Sequence, residues 1–345
     1  MVNESWLNRT ETQTRVITDA LQYAESFADA QANLARYSGW MFWKKYPNGR
    51  EYLVHAYDRT GKGTTLGARS KDSEQTHEQF TSLQADAKTR YALADERVKS
   101  QARFIKAAKL NRLPRQASAV VQALGNSPNG AEYVIVGTHA LYAYEAMADV
   151  IILPHAMETQ DIDVLWDAKR RVQTVINAGT NSMVGVVEVL KSIDKTFTTN
   201  TEKTFQARNA EGFVVDFLRP EMPAEPLLIA EGDRINPIAL PGLDWLLKQT
   251  QDVTVFDYQG LPVLMRVPDP RLFAAHKMWL SNRSDRAPGK RDRDRMQATL
   301  VTELITSRKP VLDSLDQELL RESPEIFALL DPLFLRHDTS SPILN

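Results

Sequence analysis

Three aspartates are the residues of this sequence best suited to chemistry. In Asp161-Ile162-Asp163-Val164 side chains alternate along an extended strand, so both carboxylates share one face while the two apolar residues share the other. Two parallel carboxylates can chelate a hard cation. Asp216 lies within Phe213-Val-Val-Asp-Phe-Leu218, where a carboxylate among apolar neighbours is costly to bury without a partner. A divalent ion shared with Asp161 and Asp163 would be that partner. Upstream, Val134-Ile-Val-Gly-Thr-His-Ala-Leu141 sets a Gly-Thr turn between a buried strand and a helix start. Free backbone N–H groups and the helix dipole favour a phosphate there, Gly137 lets the backbone approach, and the Thr138 hydroxyl can donate. His139 follows within reach of a phosphate or ribose, and reads equally well as a bystander at a helix start.

The elements that must position these residues change in texture along the chain. Residues 5–37 read as one or two helices. Trp40–Lys44, Glu51–Tyr57 and Thr64–Gly67, separated by turns at Asn48-Gly49 and Thr60-Gly61, read as a three-stranded meander. From Ser73 to Leu110 no Gly or Pro intervenes, and Phe80, Leu83, Ala87, Tyr91, Ala94, Val98 and Ile105 recur at near-helical spacing, with Ser73 as the N-cap. A second helix, Gln116–Leu124, precedes the Gly125–Gly130 loop, the clearest boundary. Beyond it, strands are expected at Tyr133–Val136, Asp161–Trp166, Phe205–Asn209 and Phe213–Leu218. A hairpin is expected over Val253–Val267. Helices are expected over His139–Ala148, Val184–Ile193, Leu272–Leu280, Lys290–Ile305 and Pro324–Leu333. The resulting organisation is an N-terminal helical segment (1–37), a β-meander (38–72), a long and a short helix (73–125), a catalytic domain (131–268) and a helical C-terminal domain (269–345).

Composition bounds the chemistry. The chain has 345 residues, 43% hydrophobic and 25% charged, a profile that supports more than one core. It has no cysteine, which excludes disulfides, thiolate zinc sites and thiol nucleophiles, and leaves oxygen-ligated metals. The polar N-terminus and the lack of a long apolar run point away from secretion and membrane spanning, with the cytoplasm as the expected compartment. The net charge of −2 averages over unlike regions: residues 41–71 carry +5, 88–115 carry +7 and 270–296 carry +5, leaving −19 for the rest. Such segregation suggests a polyanionic partner.

The order strand-Gly-Thr-helix, Asp161-x-Asp163, then Asp216 on a later strand resembles the nucleotidyltransferase fold of the DNA polymerase beta superfamily. Gly137-Thr-His-Ala-Leu-Tyr-Ala-Tyr-Glu145, Thr159-Gln-Asp-Ile-Asp-Val164, Val215-Asp-Phe217, Ala275-His-Lys-Met-Trp-Leu280 and Lys290-Arg-Asp-Arg-Asp-Arg-Met-Gln-Ala298 are similar, more closely, to a bacterial family near the abortive-infection nucleotidyltransferase toxins. The likeness extends over roughly residues 38–300. It implies an α+β fold, a mixed sheet with flanking helices, preceded by the β-meander and long helix and followed by a helical C-terminal region. It also implies an enzyme that transfers a nucleoside monophosphate from an NTP such as ATP to an acceptor hydroxyl, using two Mg2+ ions. By position, Gly137, Thr138 and His139 would hold the NTP, Asp161 and Asp163 would bind metal, and Asp216 would bind the second metal and orient or deprotonate the acceptor. Because phosphoryl chemistry rests mainly on positioning and charge neutralisation, Lys277, Lys290 and Arg293 become triphosphate contacts, with Asp294 orienting a basic neighbour. Two departures from the pattern stand out. Thr138 replaces the commoner Gly or Ser, and Val150-Ile-Ile-Leu-Pro-His155 is inserted before Asp161, either as a loop around the nucleotide or as a sign that Gly137-Thr138 merely starts a helix.

The acceptor expected from the charge pattern is RNA such as tRNA, with a protein hydroxyl as the other candidate. Lys44, Lys45, Arg50, Arg59, Arg97 and Arg103 would contact nucleic acid. About half of the meander aromatics Trp40, Phe42, Trp43, Tyr52 and Tyr57 are instead expected to pack on the long helix, because a three-stranded sheet needs a covered face. A toxin or phage-defence role would bring an antitoxin partner, and Leu83, Tyr91 and Val98 could line a homodimer. Asp-x-Asp on its own is commonly a solvated strand edge, and Lys290–Arg295 on its own reads as an exposed charged helix face. The contrasting function is therefore a catalytically degenerate protein that binds nucleic acid or a partner.

Overall fold

A computed structural model describes residues 5–57, 62–157, 159–167, 170, 185–221, 234–308, 310, 312, 315, 324–330 and 333, apart from the Phe327 side chain. The chain divides into two compact units: residues 15–110 with 259–262, and residues 1–14, 111–258 and 263–345. The strand β1 (Trp6–Asn8) opens the chain.

The smaller unit holds most of α1 (Glu11–Arg36), the antiparallel meander β2 (Trp40–Lys45), β3 (Glu51–Ala56) and β4 (Gly63–Ala68), and α2 (Lys71–Ala107). The first hairpin turns where Gly49 takes a φ of +77° and the Asn48 side chain accepts from the Arg50 N–H. The long helix starts two residues before the expected Ser73. Ser70 is the N-cap, and its hydroxyl and that of Ser73 each accept the other's backbone N–H, closing a capping box. Trp43 packs on His77 of α2 beneath the Arg69 guanidinium, whereas Trp40 and Tyr57 stay exposed.

In the larger unit α3 (Arg115–Gly125) leads into β5 (Tyr133–Val136), a 3-10 turn over Gly137–Ala140 and α4 (Leu141–Met147). There follow β6 (Val150–Ile152), β7 (Asp161–Trp166), α5 (Val186–Ile193), β8 (Thr198–Thr199), β9 (Gln206–Arg208), β10 (Val214–Pro220) and β11 (Ile238–Leu240). Then come α6 (Leu243–Lys248), β12 (Thr250–Phe256), β13 (Pro262–Pro268), α7 (Pro270–Ser281), α8 (Pro288–Arg308) and α9 (Pro324–Leu330). The central sheet runs β5-β7-β10-β9-β8, with β11 also on β10. It is mixed: β7 and β10 are parallel, while β5 and β9 run antiparallel to them. This is the expected mixed sheet with flanking helices.

Strand alternation divides this sheet into two faces. Ile162, Val164, Trp166, Val215 and Phe217 join the main core with α3 and α5. On the other face Leu165, Leu218, Val134 and Val136 pack on Leu243 and Leu246 of α6. Each such buried leucine contributes about 1.5–3 kcal/mol, and this small cluster leaves uncovered the end of the same face that carries Asp161, Asp163 and Asp216. The Val150–His155 insertion is not a nucleotide loop. Its first three residues form β6, paired antiparallel with β1, and buried Glu145 ties it down by accepting from the Ile152 N–H and from Arg112. Among the described residues no helix is long and apolar enough to cross a membrane.

Candidate active site

The floor of the site is set by strand register. In the parallel pair, Asp216 of β10 stands beside Asp163 of β7, and Asp161 lies two residues back on the same face. Val136 pairs with Asp163 from the other side, which brings the following Gly137 against the Asp163 carboxylate. Gly137 has a φ of +63°, and a Cβ built on it would overlap Asp163 Oδ2. Glycine is required twice here, for the left-handed backbone and for the close approach. Thr159 donates its hydroxyl to Asp161 Oδ1, and the Gln206 side chain donates to Asp216.

The cations come from α7, α8 and the turn between them. Lys277 is buried, 2.9 Å from Asp294 and against the Phe273 ring. Asp294 also accepts from Arg286 Nε, so this buried carboxylate orients two basic neighbours. Lys290 and Arg293 are exposed at the start of α8. All of these line one cavity of about 690 Å³ together with Gly137, Thr138, Asp161, Asp163 and Asp216, while Leu218, Leu240, Leu243 and Leu246 form an apolar wall. Its size and its mix of apolar surface with a few convergent polar groups suit a small-molecule ligand.

Electrostatics follow from crowding carboxylates into this half-buried corner. Burial, and next the Asp161 charge, push the Asp163 carboxyl up to about 7, with Lys277 opposing. Burial raises Asp216 as well, against the Gln206 hydrogen bond. Asp216 Oδ1 is buried and finds no hydrogen-bond partner among the described residues. An all-oxygen donor set, a strained carboxylate row and an orphaned buried oxygen fit a hard divalent cation. Among the described residues, however, no three acidic or histidine side chains are gathered tightly enough to hold a metal as they stand. The carboxylates would have to turn toward a shared ion.

Thr138 lines the cavity, and its hydroxyl oxygen accepts from buried Gln297 Nε2 at 3.1 Å, which leaves the hydroxyl hydrogen free to donate. His139 is off the cavity wall. It is buried, hydrogen-bonded to the Asp161 backbone, set beside the tilted Tyr142 ring, and driven down to about 4 by burial. Thr159, His276 and Gln297 lie in the segments that carry the resemblance but drew no role from it, and Lys203, Gln206, Arg283 and Arg286 were not singled out. Arg283 and Arg286 belong to the basic stretch 270–296, which was a usable signal. Lys203 sits in a loop before β9, where nothing in the sequence marks it, and Gln297 lies inside a helix, marked only as part of the Lys290–Ala298 segment.

In the smaller unit Lys44, Lys45, Arg50, Arg97 and Arg103 are exposed, and Arg97 joins Arg90, Tyr23 and Leu93 around a hollow between α1 and α2. Arg59 lies outside the described residues. Leu83 is exposed, Tyr91 half-buried against Phe27, and Val98 buried.

A family model described as nucleotidyltransferase matches residues 115–320. No curated protein and no solved structure matches the chain.

Proposed function

From a chain that belongs to the nucleotidyltransferase family, we propose the following reaction: a magnesium-dependent transfer of a nucleoside monophosphate from an NTP to an acceptor hydroxyl on RNA, in the cytoplasm. The observation that carries this reading is the single cavity shared by the three aspartates, the Gly137-Thr138 turn and the basic side chains of α7 and α8.

In this mechanism the triphosphate lies along the Gly137-Thr138 turn. The Thr138 hydroxyl donates to a phosphate oxygen, since its own oxygen is already engaged by Gln297. Lys277, Lys290 and Arg293 neutralise the triphosphate, and Asp294 keeps Lys277 fixed so that little reorganisation is needed at the moment of transfer. Asp161, Asp163 and Asp216 would hold the magnesium ions. Bound there, two such ions supply charge neutralisation of the α-phosphate and of the attacking and leaving oxygens. The acceptor hydroxyl oxygen bonds to the α-phosphorus, the α–β anhydride bond breaks and pyrophosphate leaves. The hydroxyl proton passes to Asp216, which strand register sets beside Asp163.

The test is incubation of the protein with labelled NTPs, magnesium and total RNA. Label should enter RNA with wild type and not with Asp161→Asn/Asp163→Asn; persistent labelling by the double variant would overturn the site assignment. The growth-arresting role implied by the resemblance is checked by expressing the same pair in a bacterial host. Arrest by wild type alone supports it, and normal growth of a host holding active enzyme counts against it.

A further inference from the structure

A second hollow of about 600 Å³ adjoins the nucleotide cavity and shares Thr159, Asp161 and Arg293 with it; Gln160, Arg208, Gly212 and Val214 complete its wall. Arg208 is exposed on β9, opposite Val214 of β10. Its guanidinium lies over Gly212, where an added Cβ would stand 3.3 Å from Nη2. Neither Arg208 nor Arg293 forms an ion pair among the described residues. Unpaired guanidinium groups present a planar fork that matches phosphate oxygens.

The position of this hollow explains why it would need such groups. An acceptor hydroxyl has to reach Asp161 and Asp216 from outside the triphosphate cavity, and a phosphate-bearing acceptor approaching a row of carboxylates is repelled unless cations meet it there. The cations of α7 and of the turn after it are engaged elsewhere: Lys277 and Arg286 are tied to Asp294, and Arg283 to Asp285. Arg208 is the basic side chain on the far wall, with Arg293 between the two hollows. Among the described residues Val214 is the single apolar side chain of the wall, which offers none of the aromatic anchors that hold protein partners.

We propose that this hollow is the acceptor subsite, and that it takes the 3′ end of a polynucleotide strand, with Arg208 on a backbone phosphate and Arg293 bridging acceptor and triphosphate. The inference rests on the nucleotidyl-transfer reading of the neighbouring cavity. The terminal hydroxyl oxygen would bond to the α-phosphorus of the NTP, pyrophosphate would leave with the electrons of the broken anhydride bond, and the hydroxyl proton would pass through Asp216 to water. The strand would end one nucleotide longer.

The experiment uses the full chain, 5′-labelled single-stranded RNA and DNA oligonucleotides with free 3′ hydroxyls, and a non-hydrolysable NTP with magnesium. Arg208→Ala should weaken oligonucleotide binding about fivefold and flatten the plot of log affinity against log salt by about 0.7, one phosphate contact on a single strand. Arg208→Lys should restore most of both. NTP binding should be unchanged, which also shows that the variants are folded. Binding of either strand supports the subsite, and a preference between RNA and DNA identifies its source. Unaltered affinity and salt slope in Arg208→Ala would overturn it, as would transfer of label to protein that excess oligonucleotide does not inhibit. If wild type binds the oligonucleotide through Arg208 but binds no NTP, the nucleotidyl-transfer reading falls while the strand site stands.

Discussion

Replacing Asp163 by asparagine should make the metal-free protein more stable while abolishing its activity. Asp163 is wedged against the Gly137 backbone beside Asp161 and Asp216, and its carboxyl is pushed from 3.8 up to about 7. A raised carboxyl pKa means that the fold prefers the neutral form. The penalty is absent below the unfolded value, grows as pH rises between the two values, and is complete above the folded one. Roughly three pKa units correspond to about 4 kcal/mol at pH 8. Water entering a half-buried site screens part of this, so the expected gain for Asp163→Asn is about 1–3 kcal/mol. Urea unfolding of both proteins in EDTA, from pH 4.5 to 8, measures it. At pH 4.5, already above the unfolded value, the difference should be about a quarter of its full size, and it should grow until about pH 7. Magnesium should stabilise wild type by mass action and leave the variant unmoved. A variant less stable than wild type at pH 8 in EDTA, or a difference that does not change with pH, would refute the crowded-carboxylate account.

Gly137→Ala should cost about 1–2 kcal/mol for its left-handed backbone plus the displacement of Asp163; urea unfolding in an Asp163→Ala background should recover only the backbone part. Asp294→Ala leaves Lys277 buried without its partner, so a loss of about 3–5 kcal/mol and a raised KM for NTP are expected from unfolding and steady-state kinetics. Gln297→Leu removes the bonds to Thr138 Oγ1 and the Ala156 carbonyl, costing about 1–3 kcal/mol, and should raise KM for NTP more than it lowers kcat. Buried His139 and His276 are held down at about 4 and about 3, so only the unfolded chain takes up their protons just below the ordinary value of 6.5. Stability should therefore fall as pH drops from 6.5, by about 2 kcal/mol per histidine at pH 5. Denaturation of His276→Asn at pH 7 and pH 5 should show the smaller acid loss.

Much of the architecture is legible from local pattern. The alternation in Asp161–Trp166 assigns its two faces without reference to any partner strand, and the structure divides Ile162 and Val164 from Asp161 and Asp163 in just that way. The uninterrupted apolar period after Ser73 predicts one long helix, which runs from Lys71 to Ala107; only the cap was misplaced, because Ser70 and Ser73 are chemically alike and the box uses both. The inserted Val150–Ile152 segment was ambiguous because a three-residue strand has no period of its own, and its partner β1 lies far away in sequence.

By itself the sequence determined which side chains can do chemistry here. Without cysteine, with an Asp-x-Asp on an alternating strand and a glycine at a strand end, a site of oxygen ligands and backbone donors follows from residue type and the two-residue repeat. Tertiary structure decided which of those side chains meet. Register brings Asp216 beside Asp163, 53 positions earlier in the chain. Asp294 was expected to orient a basic neighbour, but only the packing of α7 on α8 makes Lys277 that neighbour, with Arg286 as a second. Gln297 is marked in the sequence only as one residue of the Lys290–Ala298 segment, yet it sets the Thr138 hydroxyl from 159 residues away. The physical reason is range. Alternation, capping and turn chemistry act within a few residues, whereas a buried hydrogen bond or a carboxylate's charge depends on neighbours in space, and those exist only once the sheet has taken its register.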